Sequence, residues 1–589
     1  MAGDYKISNL YQGGYSSLSP KYGDVFTGYR MNPASFGTTT DPRTANVLQE
    51  VSTKLNMGVK QIEIAAIQPE VFDSIPKQHL QEINRLSKLT GVDISLHGPI
   101  VEPSGLNQQG FSESNREASE RQMMNAISRA HEVSPGGNVP VTFHSSAISM
   151  GPLQTKDKEP EEAMIINVDS GSIHRIPLKE RFFPGEEGKK NIQKEVEKIN
   201  EEQWIENLRQ LEYHSEIGKD AIDKAMTTDI LAKAEQKAGK NLSDEEKAMQ
   251  FAYNRGTTFL NSSYHNLKQL FDSAYKNVSP EDQEKLKTYY KEIDEKAKKI
   301  QANPKSEVSI RIMEDIIEGG IKTLNSLSAP PKVYKELNDF SREKAVETFS
   351  NVALNSYKEF KDKAPIISIE NPPAGAFGFS TGEELKKIVE NAQERFVENA
   401  TKSKSEGGLG MSEREAERQA KKLLGVTWDV GHINMMKKYG YKNEDILKET
   451  EKIAPLLKHI HLSDNFGFEH TELPMGMGNV PMKEILEKLG QEGFDAKKII
   501  EAGNWWQHFR TPPFKETLEA FGSPIYGMEM APYWNQNIGG QQGYFGGYGA
   551  MLPSVNYETF GAGFSHLPTE LGGQRGGGEG SRMSGKPME

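Results

Sequence analysis

Short β-rich apolar runs recur along the chain with helix-forming stretches between them, and their number limits the fold more than any other feature. In an amino-terminal block, Val25–Met31, Val59–Ile67, Val92–His97 and Val139–His144 read as strands, with Ser112–Val133 as a helix between the last two. The pattern resumes at Pro365–Glu370, Gly425–Asp429, Leu457–Leu462 and Lys498–Glu501. Helical stretches there are Gly382–Ala400, Ser412–Leu424, Asn443–Ala454 and Met482–Leu489. Near-continuous apolar runs separated by helices argue for parallel strands covered on both faces. Eight such units are the count of a closed barrel, so the spacing predicts an α/β chain with a (β/α)8 TIM barrel.

The surplus of a 589-residue chain over one barrel falls in two places. Between the fourth and fifth strands lie an extended segment, Ala163–Pro177, and a Lys/Glu-rich region, Lys189–Gln301, with few glycines or prolines. Asn241-Leu-Ser-Asp-Glu-Glu and Ser279-Pro-Glu-Asp-Gln-Glu supply helix starts, each with a cap residue followed by acids. This predicts a long helical insertion whose charges are solvated faces, with a lid or docking role as the sharper alternative. Beyond Pro512 the periodicity fades, and 15 of the 54 glycines fall from Gly539 onward. Such a stretch buries too little apolar surface to offset its chain entropy and is expected to be disordered, with Tyr533, Trp534, Tyr544 and Phe545 as possible anchors. The expected organisation is an extension at 1–23, half-barrels at 24–150 and 346–511, a mostly helical insertion at 151–345, and a low-complexity tail at 512–589.

The informative residues stand at the ends of the strands. Strand three ends at His97, strand four at His144, strand five at Glu370-Asn371, strand six at Asp429 with His432 shortly after, strand seven at His461, and strand eight at Glu501. A barrel gathers the carboxyl ends of its strands at one mouth. Carboxylates and imidazoles crowded there carry a desolvation and repulsion cost that a divalent cation relieves. A lone His97 or His144 is more often just a hydrogen-bonded histidine, and Asp429 alone is a ready helix cap. Six strand ends with ligand-type side chains point to a metal site instead. The chain has no cysteine, which excludes disulfides and thiolate sites, so the ligands must be nitrogen and oxygen. The imidazole share favours zinc, manganese or cobalt over magnesium. His459 alternates with His461 but lies one layer deeper, and is expected behind the ligands or in the core. The loop after strand seven carries His470 and Glu472 toward the same mouth, and Gly476 and Gly478 give it a tight turn at which a substrate can approach.

At these residues the sequence resembles the xylose isomerase-like barrel superfamily, which includes sugar isomerases and epimerases and the endonuclease IV group of abasic-site nucleases. The resemblance covers roughly 24–149 and 365–504. In the isomerase and epimerase branch it implies one divalent metal held by Glu370, Asp429, His461 and Glu501, with His432 beside them. Glu370 and Glu501 would act as a general acid/base pair, and Asn371, Asp464, Gly476 and Gly478 would bind substrate. His461-Leu-Ser-Asp464-Asn and the Leu473-Pro-x-Gly-x-Gly478 turn also resemble this branch. In the endonuclease branch three zinc ions take nine ligands, of which His97, His144, Glu370, Asp429, His432, His461 and Glu501 match seven. The other two form an Asp-x-His pair where this chain has His470-x-Glu472.

The leading expectation is therefore a metal-dependent sugar or sugar-phosphate isomerase/epimerase with one to three divalent ions and a small carbohydrate substrate. A zinc phosphodiesterase acting on abasic DNA is the alternative, and a non-catalytic scaffold is the third. The net charge of −12, from 71 basic and 83 acidic residues, argues against a polycationic nucleic-acid coat but leaves room for a local basic groove. No run of 18 apolar residues and no signal-like amino terminus are present, so a cytoplasmic location without a membrane partner is expected. The sequence sets no oligomeric state.

Overall fold

The computed structural model describes residues 36–56, 59–150, 153–180, 190–226, 243–302 and 307–503, together with 182, 505, 513, 514, 516 and 517. Eight parallel strands close a barrel: β1 Phe36–Thr39, β2 Gln61–Ala65, β3 Asp93–His97, β4 Pro140–His144, β5 Ile366–Glu370, β6 Leu424–Asp429, β7 Leu457–Leu462 and β8 Lys497–Ile500. Each strand pairs with its sequence neighbours, and β8 pairs with β1. Seven strands lie where the periodicity puts them. The first does not: Phe36–Thr39 closes the barrel, whereas Val25–Met31 lies outside the described residues. Phe-Gly-Thr-Thr lacks an apolar run, yet threonine is a good strand residue and an inward hydroxyl is acceptable in this barrel. Thr38 and Thr40 are buried, and Thr40 Oγ1 accepts a hydrogen bond from the Ala65 amide at 3.0 Å. Gly37 is needed because a Cβ there would stand 2.6 Å from the Gln61 carbonyl oxygen.

The strands are not uniformly apolar but alternate. Ile62 and Ile64, Ile94 and Leu96, Val141 and Phe143, Ile367 and Ile369, Val426 and Trp428, and Ile460 and Leu462 are buried. The residues between them are polar: Glu63, Ser95, Thr142, Ser368, Thr427 and His459, all buried as well. Contacts between strands that are not neighbours show that the polar set faces the barrel interior. Thr142 on β4 meets Thr427 on β6 at 3.0 Å, and Glu63 on β2 meets His459 on β7 at 3.0 Å. The apolar set points the other way by the period-two rule of a strand. Among the surrounding helices, Gly382–Thr401 starts at a Thr381/Glu384 capping box, and Glu413–Leu423 starts at Ser412, whose hydroxyl accepts from the Glu415 amide.

The chain divides into two compact units. Of the described residues, those within 36–107, 112–158 and 341–517 form the barrel unit, and 108–111 with 159–340 form the second. In the second, an antiparallel hairpin, Glu162–Asn167 and Ile173–Pro177, takes Tyr334–Glu336 on its free side. Among the described residues, four helices follow the hairpin: α1 Ile192–Met226, α2 Asp244–Asn277, α3 Pro280–Ala302 and α4 Glu307–Asn325. Ser243 and Glu246 form a capping box at the start of α2, and Pro280 opens α3. Leu211, Leu260, Leu267, Leu286, Ile316 and Ile317 lie in the core of this unit. The expected extension at 1–23 and the tail aromatics Tyr533, Trp534, Tyr544 and Phe545 lie outside the described residues. No described helix is long and apolar enough to cross a membrane.

Trp428 is fully buried between barrel and helices, whereas Leu89 is 68% exposed. Trp428→Ala is expected to destabilise the protein by about 3–5 kcal/mol, and Leu89→Ala by less than about 0.5 kcal/mol. Urea unfolding of both variants checks the pair.

Candidate metal centre

Strand register brings the ligand-type side chains together. Glu370 pairs directly with His144, and Asp429 with His461. His461 also pairs with Ile499, so Glu501, two residues on, comes to the mouth on the same side. The Glu501 amide donates to the Leu462 carbonyl at 2.9 Å, which carries the ladder one step past β8.

Glu370 is the hub. Its Oε1 lies 2.8 Å from His461 Nδ1, and its Oε2 lies 3.1 Å from His97 Nε2 and 3.3 Å from His144 Nε2. His461 Nδ1 is also 3.3 Å from Glu501 Oε1. One ligand atom each from Glu370, Asp429, His461 and Glu501 falls within a 4.8 Å span, and so does one each from His97, His144 and Glu370. His432 Nε2 faces His470 Nε2 at 2.8 Å, and His470 lies 3.7 Å from Glu472. Glu501 is the more accessible carboxylate, with 16% of its side chain exposed against none for Glu370.

The electrostatics call for a cation. Burial and the carboxylates of Glu501 and Glu370 hold Asp429 well above the usual carboxylate range. Burial alone would raise Glu370 too, but His461 and His144 overcome it and hold it well below that range. His97 is raised to about 9: burial opposes the shift, and Glu370, Glu501 and Glu63 outweigh it. Burial and Glu501 push Glu472 up to about 7. The decisive atom is Asp429 Oδ2. Oδ1 accepts from the His432 amide at 2.6 Å and from Ser463 at 3.3 Å, but Oδ2 is buried with no hydrogen-bond partner. A buried, unpartnered carboxylate oxygen beside two further carboxylates and an imidazole is a donor set that fits a divalent cation.

Residues 382–521 match the family model described as xylose isomerase-like TIM barrel. The matched residues take in β6, β7 and β8 with Asp429, His432, His461 and Glu501, so the later part of the barrel is similar to that family. An uncharacterized protein of Methanocaldococcus jannaschii is 34% identical to this chain over 83 residues, which are 14% of this chain and 27% of that protein, so the match spans about a quarter of the relative. Among solved structures, a D-tagatose 3-epimerase-like protein aligns with 82% of this chain and 96% of its own, at 15% identity and a TM-score of 0.34. The 3-keto-D-glucoside 4-epimerase YcjR of E. coli aligns with 80% of this chain and 92% of its own, at 10% identity and a TM-score of 0.33.

Beneath the ligand layer, the barrel holds a second polar layer. Glu63 is fully buried and sits under His461. Its Oε2 lies 3.0 Å from His459 Nε2 and accepts from Ser95 Oγ at 3.0 Å. Its Oε1 is 3.2 Å from His461 Nε2, an ion-pair distance without the straight geometry of a hydrogen bond. A carboxylate on the far nitrogen leaves Nδ1 turned to the metal position and makes the imidazole a better ligand. Glu63 is absent from the sequence expectation because β2 ends in Ala65 rather than in a ligand. The available signal was a lone charge inside Gln61-Ile-Glu-Ile-Ala65.

Four residues expected at the substrate also hold the chain in place. The Asn371 side chain is buried and splices β5 to β6, donating to the Asp429 carbonyl at 3.0 Å and accepting from its amide at 2.8 Å. The Asp464 carboxylate accepts from the amides of Asn465, Gly476, Gly478 and Val480 at 2.9–3.0 Å. It anchors the loop, and the two glycine amides are its donors. Gly478 permits that approach, since a Cβ would stand 2.3 Å from Asp464 Oδ1. Among the expected site side chains at this mouth, His470 and Glu472 are each 33% exposed and Glu501 is 16% exposed.

Glu63→Gln is expected to lower divalent-metal affinity by roughly 10–100-fold with the circular dichroism spectrum unchanged. Chelator competition with zinc measures it, and wild-type affinity in the variant would show that Glu63 does not orient His461.

Proposed function

We propose that the protein is a divalent-metal-dependent sugar or sugar-phosphate isomerase/epimerase that works by proton transfer at a carbon next to a carbonyl. The observation that carries this reading is the Glu370, Asp429, His461 and Glu501 set, whose ligand atoms share one 4.8 Å span and include two glutamates. Glu370, Asp429, His461 and Glu501 would hold a divalent ion, with zinc, manganese or cobalt favoured by the imidazole, and that ion would supply Lewis-acid polarisation of the substrate's carbonyl and adjacent hydroxyl. Glu501, the accessible carboxylate, takes the carbon-bound proton, and the electron pair of that C–H bond passes to the carbonyl to give an enediolate. Glu370, deeper in the mouth, is the second acid/base of the pair; it rests ionised, so the proton it delivers to the carbon is one it first takes from His97 or His144, whose Nε2 atoms lie 3.1 and 3.3 Å from its Oε2. His97 and His144 hold Glu370 Oε2 by 3.1 and 3.3 Å contacts, so they fix the orientation of the inner carboxylate.

A second reading, a metal-dependent phosphodiesterase, is favoured by one observation. His97, His144 and Glu370 make a second cation position beside the first. Several ions at that mouth would suit activation of water and charge stabilisation on phosphate oxygens. The two readings part on metal count and on the bond that changes.

Glu501→Gln and Glu370→Gln are each expected to lower turnover by roughly 10²–10⁴-fold. The reading requires about one tightly bound metal per chain. The assay is deuterium uptake at the carbon beside the carbonyl of a ketohexose or ketohexose phosphate in D₂O, followed by NMR. Two or three zinc ions per chain with cleavage of an abasic duplex and no deuterium uptake would sink the isomerase reading in favour of the second.

A further inference from the structure

The second unit contains a cavity of about 410 Å³ between α1, α2 and the strand Tyr334–Glu336. That volume is within the range of roughly 300–1,000 Å³ common to small-molecule sites. Helix α1 contributes Asn200, Gln203, Trp204, Asn207 and Gln210, which share one face at helical spacing. Helix α2 answers with Asn266 and Gln269. Seven of the fourteen lining residues are Asn or Gln, and no Lys or Arg is among them. This contrasts with the helix itself, where Glu201, Glu202, Glu206 and Arg209 occupy the positions between and do not line the cavity. Charge has been sorted away from this face.

Some of these amides are structural. Asn200 clamps the Tyr334 backbone, donating to its carbonyl at 2.8 Å and accepting from its amide at 2.7 Å. Asp169, the one charged lining residue, accepts hydrogen bonds from Ser273 and Asn277. The side chains of Gln203, Asn207 and Gln269 are exposed and that of Asn266 is half-buried; none of the four makes a hydrogen bond among the described residues, so all stand open to solvent or a ligand. Trp204 packs against the core of the unit while also lining the cavity. A carboxamide offers a donor and an acceptor side by side, matching vicinal hydroxyls without charge. An indole surface accepts the apolar face of a sugar ring. Anionic ligands find no cation here, and the lone carboxylate disfavours the phosphates of a nucleic acid.

We propose that this cavity is a binding site for a neutral saccharide, separate from the metal centre. The proposal stands on the helical unit and does not rest on the reaction assigned to the barrel. The test is saturation-transfer NMR on the full chain with maltotriose, cellotriose, xylotriose and chitotriose as probes, and adenosine for comparison. Expected is transfer to at least one trisaccharide in the wild type and in Glu501→Gln, with binding weakened roughly tenfold or more in an Asn207→Ala/Gln269→Ala double variant, which removes two unpartnered amides. Transfer to none of the four, transfer unaffected by the double substitution, transfer lost in Glu501→Gln, or transfer to adenosine alone would each overturn it. Because Glu501→Gln abolishes the proposed barrel chemistry without touching the cavity, failure of one assignment is distinguishable from failure of the other.

Discussion

Acid side chains buried together are the constraint on which the barrel mouth is organised. Glu370 and Asp429 have no access to solvent, and Glu63 lies equally deep one layer below. Three carboxylates at that depth are tolerable only if positive partners are distributed among them. His461 serves both layers: it faces Glu370 and Glu501 through Nδ1 and Glu63 through Nε2. The imidazoles supply part of the compensation, and the unpartnered Oδ2 of Asp429 marks where it is incomplete. Helix packing outside, register between strands and the hydroxyls of Thr142, Ser368 and Thr427 inside all hold this set in place.

How far the sequence revealed this depends on which rule each residue obeyed. Strands two to eight announced themselves by apolar β-branched runs, and the helices between them by caps such as Thr381 and Ser412. Strand one obeyed neither signal, because Phe36–Thr39 is a glycine and two threonines after one aromatic residue. Residues at strand ends were legible since a barrel brings strand ends together whatever their separation in sequence. His459 was legible by its alternation with His461, whereas Glu63 was harder, because an interior polar layer runs against the expectation of a branched aliphatic core. Reading β2 as alternating, apolar toward the helices and polar toward the axis, exposes it.

The roles of Asn371 and Asp464 were hidden for a different reason. Their residue types and positions suit substrate contact, and only three-dimensional bookkeeping shows that backbone amides and carbonyls already occupy their polar atoms. A polar residue at an active-site mouth is thus ambiguous between holding the scaffold and touching the ligand. Loop segments without regular pairing need such side chains to satisfy their amides. The helical unit shows the reverse case, in which the exposed side-chain amides of Gln203 and Asn207 make no hydrogen bond among the described residues.

The loop between β7 and the helix that follows has one further property. Asp464 and Leu473 exchange two backbone hydrogen bonds, at 2.7 and 2.8 Å, and the Asp464 carboxylate gathers the amides beyond. The segment carrying His470 and Glu472 is therefore a closed excursion, tied at its neck and independent of the barrel's own ladder. Residues on such an excursion can be exchanged, as Asp-x-His for His-x-Glu, without re-registering a strand. The barrel can in this way keep its inner ligands fixed while the rim changes, a modular division between a rigid centre and an exchangeable arm.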